Sequence, residues 1–420
     1  MAQKQIYVFA DWQELIKPTL MGVLYVEHIR GSEIFSFEYD KDWLKVQQMQ
    51  LLDPELGWFK GNQYLNNDKD NFGLFLDSSP DRWGQVLMKR KEVIIAKKES
   101  RQPKQLFASD FLLGVYDGHR MGALRYKEEL LGAFLDDNKS LATPAWASLK
   151  ELEFASLQIE KDDVIDNPEY LKWLNMLIAP GTSLGGARPK AGVLDDENKL
   201  WIAKFPSAND EYDTGLWEML AYKLAIDSGI IMSESKTIKL TGKHHTFLTK
   251  RFDRTEKMQR IHFASAMTLL GKKDGDNYKN GISYLDIVGF IMQNGDLEHI
   301  NSDLEQLWRR IVFSVCIKNV DDHLRNHGFI LGKNGWRLSP AYDINPTAYG
   351  TGLSLNISED DNSIDLQLVL DVASFFRVAK PMANTIINDI KLVVSKWQDV
   401  ANELSIPRVQ QELMQTSFLY

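Results

Sequence analysis

Near its start this chain alternates apolar and polar residues, and beyond Arg254 it switches to the roughly 3.6-residue period of helices. One continuous sheet cannot satisfy both patterns. In "QIYVFADW", "MGVLYVEH" and "EIFSFEYD" the alternation is broken by glycine or charge, as in a small antiparallel sheet. "DRWGQVLMKRKEVIIAKKE" reads as a helix with a basic, solvated face, and turn-rich "SDFLLGVYDGHRMGALRY" as a connection to the next unit. From about Pro144, "TPAWASLKELEFASLQIEKDD" and "NPEYLKWLNMLIAP" read as helices opened by Thr-Pro and Asn-Pro, good capping chemistry. "KAGVLDDENKLWIAKF" spells two short strands around an acidic turn, "GLWEMLAYKLAIDSG" a helix ending at Gly229, and "SKTIKL" with "HTFLTKRFDR" a further hairpin. Helices then dominate: "SYLDIVGFIMQNG", "SDLEQLWRRIVFSVCIKNV" and one long C-terminal stretch, "VAKPMANTIINDIKLVVSKWQDVANELS". A strand-rich front and a helical back predict separate lobes of an α+β protein.

The 420 residues exceed one simple core, so two or three packed units are expected. A formal net charge of -9 argues against gripping phosphate backbones as the main task, while leaving room for a local basic face. The single cysteine, Cys316, excludes an internal disulfide and suits a reducing compartment. Its neighbours "IVFSVCI" mark it as a core packer. "MAQKQIYVFADWQ" lacks the pattern of a secretory signal, and no apolar run approaches the ~20 residues that span a bilayer. A cytoplasmic protein without membrane association is the expectation.

The chemistry concentrates in "KNVDDHLRNHGFIL", residues 318–331. In phosphoryl transfer a loop aspartate orients the acceptor hydroxyl, an asparagine five residues on holds magnesium, and a later carboxylate completes the metal site. Asp321 and Asn326 have that separation, and the hairpin in "GFILGKNGWRLSPAYDINP" delivers Asp343. Upstream, "LWIAKFPS" sets Lys204 between apolar neighbours on a strand, where it must snorkel or meet an anion. "SLGGARPK" reads as an ordinary glycine turn when taken alone. In this company it reads as a loop whose backbone N–H groups cradle phosphate, with Arg188 and Lys190 adding charge. Two other patterns carry less. "GTSLG" matches a hydrolase nucleophile elbow but follows a helix-like stretch and Pro180, not a strand. His323 and His327 have zinc-protease spacing, yet Leu324 stands where the general base belongs.

Together, "SPDRWGQVLMKR", "DFLLGVYDGHRMGALRY", "TSLGGARPKA", "LWIAKFPS", "LTKRFDR", "RIHFASAMTLLG", "NVDDHLRNHGFIL" and "LSPAYDINP" resemble the HipA family nearly end to end. These are serine/threonine kinase toxins of bacterial toxin–antitoxin modules. The resemblance implies a bilobed kinase fold of the phosphatidylinositol-kinase-related type. Its parts would be an N-terminal subdomain over residues 1–143, a kinase N-lobe over 144–254 and a helical C-lobe over 255–420. It implies ATP and Mg2+, a protein serine substrate, and a HipB-type helix-turn-helix antitoxin through which DNA is contacted and the operon corepressed. Known members act on a glutamyl-tRNA synthetase, which makes an aminoacyl-tRNA synthetase one candidate substrate.

By position, Ser183, Leu184, Gly185 and Gly186 would form the phosphate loop and Lys204 would hold the ATP phosphates. Asp321 would be the base, and Asn326 with Asp343 would hold magnesium. His323 and Tyr342 would lie against the nucleotide, with Phe252 in the hinge. Ser183 corresponds to a serine that family members autophosphorylate to switch themselves off. One departure is Lys250, where the family's Glu-Arg-Phe-Asp-Arg has glutamate. A small-molecule kinase of the aminoglycoside type and a non-catalytic, kinase-shaped corepressor are the alternatives.

Overall fold

A computed structural model describes residues 3–45, 50–65, 69–135, 148–161, 167–178, 186 and 188–420. The chain divides into two compact units: Met1–Asn209 with Lys239–Ala264, and Asp210–Ile238 with Ser265–Tyr420.

In the first unit the alternating segments form strands Lys4–Ala10, Thr19–Ile29 and Ser32–Tyr39, joined by Gln63–Tyr64 and Leu124–Lys127. The antiparallel sheet runs in the order 63–64, 32–39, 19–29, 4–10, 124–127. Its inner positions, among them Ile6, Val8, Leu24, Phe35, Phe37 and Tyr126, are buried, which is what the two-residue period requires. Gly22 lies opposite the register shift at Val8/Phe9. A Cβ there would stand 2.3 Å from the Glu38 carbonyl oxygen, so the position admits only glycine.

The stretch expected to connect units instead completes this sheet. It folds as a helix, Ala108–Leu113, a 3-10 turn, Asp117–His119, and the edge strand Leu124–Lys127. The four-residue strand was hidden because glycine and arginine interrupt its pattern. The basic helix spans Arg82–Lys98, and its N-cap Asp81 accepts the Gly84 N–H at 2.9 Å.

Helices Leu149–Ile159 and Tyr170–Ile178 follow. The Thr143–Pro144 start lies outside the described residues, as does the 143/144 boundary. Asn167 caps a turn ahead of the second helix by accepting the Glu169 N–H at 2.9 Å, so the helix begins later than Pro168 suggests. Strands Lys190–Leu194, Leu200–Lys204 and Thr246–Lys250 pair antiparallel, with Lys204 opposite Lys190 on one side and Phe247 on the other.

The second unit contains helices Thr214–Asp227, Tyr284–Asn294 and Ile300–Cys316 and the hairpin Gly328–Gly332/Gly335–Leu338. Gly229 ends the first of these at φ +74°, the left-handed C-terminal geometry glycine favours. Cys316 is fully buried, and burial pushes its thiol up to about 12.

The expected long C-terminal helix is broken into Lys380–Val394 and Trp397–Glu403. The Ser395 hydroxyl donates to the Leu392 carbonyl at 2.8 Å, a local bond that competes with helix continuation. Trp397 is thereby seated in the core, stacked on Phe418 at 4.3 Å between centroids. Among the described residues no helix is long and apolar enough to cross a membrane.

Candidate active site

The acidic loop is organised by the end of helix Ile300–Cys316. Lys318 takes a left-handed φ of +49°, and the Asn319 N–H returns to the Ser314 carbonyl at 2.8 Å, turning the chain sharply out of the helix. The two adjacent carboxylates then part company. Asp321 is exposed while Asp322 is buried.

Asp322 accepts the Tyr284 hydroxyl at 2.6 Å and lies 3.1 Å from His327 Nε2, with the Ser314 hydroxyl at 3.5 Å. Burial disfavours its charge, but the His327 imidazole and the Tyr284 hydrogen bond hold its carboxyl below the usual range. Asp322 is therefore an anchor, and its neighbour is the one presented to solvent. His327 is held by this anchor and by edge-on packing against Tyr284 at 5.6 Å, an arrangement that does not resemble a zinc pair.

Asn326 closes the loop. Its Nδ2 donates to the Asp321 backbone carbonyl at 2.9 Å, while its buried Oδ1 has no hydrogen-bond partner. His323 lies at the start of the 3-10 turn Leu324–Asn326, half-buried, its Nδ1 likewise without a hydrogen-bond partner. The Tyr342 hydroxyl donates to the Arg325 carbonyl at 2.7 Å, tying the segment after the hairpin to the loop. Asp343 follows with φ +58°. Such a conformation is costly for a non-glycine residue and persists where surrounding structure imposes it. Asn345 Nδ2 donates to Asp343 Oδ1 at 3.3 Å.

Sequence reasoning missed Tyr284, Ser314, Asn319 and Asn345. The first three sit in stretches whose periodicity announces only helix and helix end. Asn345 carried a signal, being two residues from the proposed metal ligand.

The first unit carries the other expected residues. Lys204 ends its strand half-buried, its ammonium 5.8 Å from the Phe247 ring centroid. Ser183, Leu184 and Gly185 lie outside the described residues. Gly186 has φ +85°, and its carbonyl accepts Lys190 Nζ at 3.3 Å.

The charge assigned to Lys190 has another use. The side chain is buried and its ammonium lies 2.8 Å from buried Asp81, the cap of the basic helix. Phe252 is half-buried against Phe263, 5.8 Å between centroids. Around it the Arg-Phe-Asp-Arg run is a structural knot. Asp253 pairs with Arg251 at 2.5 Å and Arg254 at 2.7 Å and accepts the Gly122 N–H at 2.8 Å. Lys250 faces Glu256 across an exposed 3.3 Å pair.

Residues 182–397, just over half of the chain, match the family model of the HipA-like C-terminal domain. The chain belongs to the HipA family. A putative kinase of Haemophilus influenzae is 29% identical over 181 residues, 39% of this chain and 52% of that protein. The chain thus spans about half the length of the curated relative it matches. HipA of Shewanella oneidensis MR-1, solved with HipB and operator DNA, superposes with a TM-score of 0.66 at 14% identity, covering 99% of this chain and 95% of that one. The two share a fold, and for this HipA-family chain that fold is the α+β, kinase-like one the motifs predicted.

Among the described residues no three His, Cys, Asp or Glu side chains cluster as a metal site. The Asn326 carboxamide and the Asp343 carboxylate are two oxygen donors expected for a cation, and the Asn326 oxygen has no hydrogen-bond partner.

Proposed function

We propose that this chain is an ATP- and Mg2+-dependent serine/threonine protein kinase that acts as the toxin of a toxin–antitoxin module. The arrangement of Asn326 carries the reading. Its amide nitrogen is committed to the backbone of Asp321, so its unpartnered oxygen is turned away from that bond. A buried, unsatisfied amide oxygen is costly unless something is meant to meet it. A hard cation takes oxygen donors of this kind, and Asp343 supplies a carboxylate. These residues fit magnesium and would hold it. Bound there, the ion would neutralise charge developing on the transferring phosphoryl group.

The chain's own contribution is positioning and proton handling. Asp321, exposed beside its buried neighbour, accepts the proton of a substrate serine hydroxyl. The serine oxygen then bonds the γ-phosphorus as the bond to the ADP leaving oxygen breaks. By the family resemblance Lys204 would contact the ATP phosphates, Ser183, Leu184, Gly185 and Gly186 would form the phosphate loop, and His323, Tyr342 and Phe252 would contact the nucleotide.

The Shewanella relative's assembly with HipB and operator DNA supports a HipB-like helix-turn-helix partner that carries this chain to DNA and corepresses the operon. An aminoacyl-tRNA synthetase is one candidate protein substrate. Incubation with labelled ATP, alone and with cell extract, tests the reading. Label should enter a protein band with the wild type and not with Asp321→Asn. Label in a small metabolite would instead favour an aminoglycoside-type kinase, and no transfer at all a pure corepressor.

A further inference from the structure

We propose that Asn345 is a positioning residue that aims the Asp343 carboxylate at its cation. The inference rests on the kinase reading above and adds to it a residue outside the Asp321, Asn326 and Asp343 set.

An asparagine two residues from an aspartate is most simply a turn cap, with its side-chain oxygen accepting a nearby backbone N–H. Asn345 is not used that way. Its Oδ1 is buried without a hydrogen-bond partner, and its Nδ2 is directed at Asp343 Oδ1, 3.3 Å away. Its backbone is also held from a distance, because the Asn345 N–H donates to Asn319 Oδ1 at 3.2 Å. Asn319 is buried, and its own Nδ2 donates to the Ser314 hydroxyl at 3.2 Å. Ser314 lies 3.5 Å from Asp322, the anchor of the Asp321 loop.

One helix end therefore registers both acidic segments. From Ser314 a polar chain runs to Asp322 on one side, and through Asn319 and Asn345 to Asp343 on the other. Asp343 needs such a support, since its φ of +58° is not a conformation the residue would hold unaided. A hydrogen bond to one carboxylate oxygen fixes the plane of the group, and with it the direction from which the carboxylate can meet a cation. Outer partners of this kind are worth about 10–100-fold in metal affinity.

The test is calorimetric titration of the full chain with ATP, without magnesium and at graded magnesium concentrations. For Asn345→Ala the magnesium concentration giving half-maximal enhancement of ATP binding should rise about tenfold or more. Magnesium-free ATP binding should stay within about twofold. Asn345→Ser, which keeps a polar side chain and the backbone N–H bonded to Asn319 but is too short to reach Asp343, should behave like alanine and keeps the test valid if the alanine variant does not fold.

A purely structural role would move both titrations together or lower the melting temperature alone, and either result overturns the proposal. So does an unchanged magnesium midpoint in the serine variant. A wild type that shows no magnesium enhancement would defeat the kinase reading itself, and this proposal with it.

Discussion

Asn326 Nδ2 donates to the backbone carbonyl of Asp321 across five residues, at 2.9 Å, so the expected base and the expected metal ligand belong to one closed loop. Under the kinase reading, Asp321→Asn should abolish phosphoryl transfer and leave ATP binding within about twofold, because Lys204 and Asp343 hold the nucleotide and the loop's closing bond uses only the Asp321 backbone. Transfer assays beside calorimetry check this. Transfer within about tenfold of wild type would move the base elsewhere.

The buried neighbour should behave differently. Asp322→Ala leaves the Tyr284 hydroxyl without its acceptor and removes the carboxylate beside His327, so it should destabilise the fold by about 3 kcal/mol and weaken transfer as well. Asp322→Asn keeps the acceptor oxygen and should lose less. Urea unfolding of the two variants decides. Equal losses would show that the charge, and not the hydrogen-bond geometry, holds the loop.

The ion pair between Lys190 and Asp81 is buried on both sides, and breaking it strands a charge. Asp81→Ala also removes the cap of helix Arg82–Lys98, so a loss of about 3–5 kcal/mol is expected. The double variant Asp81→Asn, Lys190→Met leaves no charge behind and should recover much of that. Asparagine keeps the cap, so a double variant as unstable as the single one would mean that neither the stranded charge nor the cap accounts for the loss.

Acid should attack the knot at Asp253. Burial would raise its carboxyl, but Arg251 and Arg254 and the Gly122 N–H hold it at about 2 in the folded chain. The unfolded value is about 3.9. A depressed folded pKa contributes stability that is complete above the unfolded value and is lost as pH falls from about 4 towards 2, on the order of 3 kcal/mol in all. Urea midpoints measured from pH 5 to pH 2.5 should fall more steeply for wild type than for Asp253→Asn. Parallel slopes would place the acid-sensitive group elsewhere.

Ser183 should become phosphorylated when the chain is incubated with ATP and magnesium, and ATP affinity should then fall. The added charge of about −1.5 to −2 would compete with ATP for the same loop donors and repel its phosphates. Ser183→Ala should keep its affinity. Mass spectrometry that finds Ser183 unmodified in transferring enzyme would remove autoinhibition and leave the kinase reading intact.

Local pattern was enough for much of this protein. The two-residue alternation in 4–39 and the helical period in 284–294 and 300–316 report burial of one face, and burial of a face is what makes those elements form. The spacing of Asp321, Asn326 and Asp343 was legible for a similar reason, since one loop and the segment after one hairpin carry all three. Tertiary structure alone decided the rest.

Local spacing favours Asp321 over Asp322 as the base but says nothing of which carboxylate is buried. The difference in burial is made by Tyr284, 38 positions away, which hydrogen-bonds the Asp322 carboxylate. Lys190 reads as a phosphate cation until Asp81 claims it. Nor does the Arg-Phe-Asp-Arg run announce that its charged side chains are buried, with Asp253 accepting the N–H of distant Gly122. The C-terminal helix reads as unbroken until Trp397 meets Phe418. In each case the deciding term is the cost of burying a charge, a hydrogen-bonding group or a large ring, and that cost is set by which distant partner arrives to meet it.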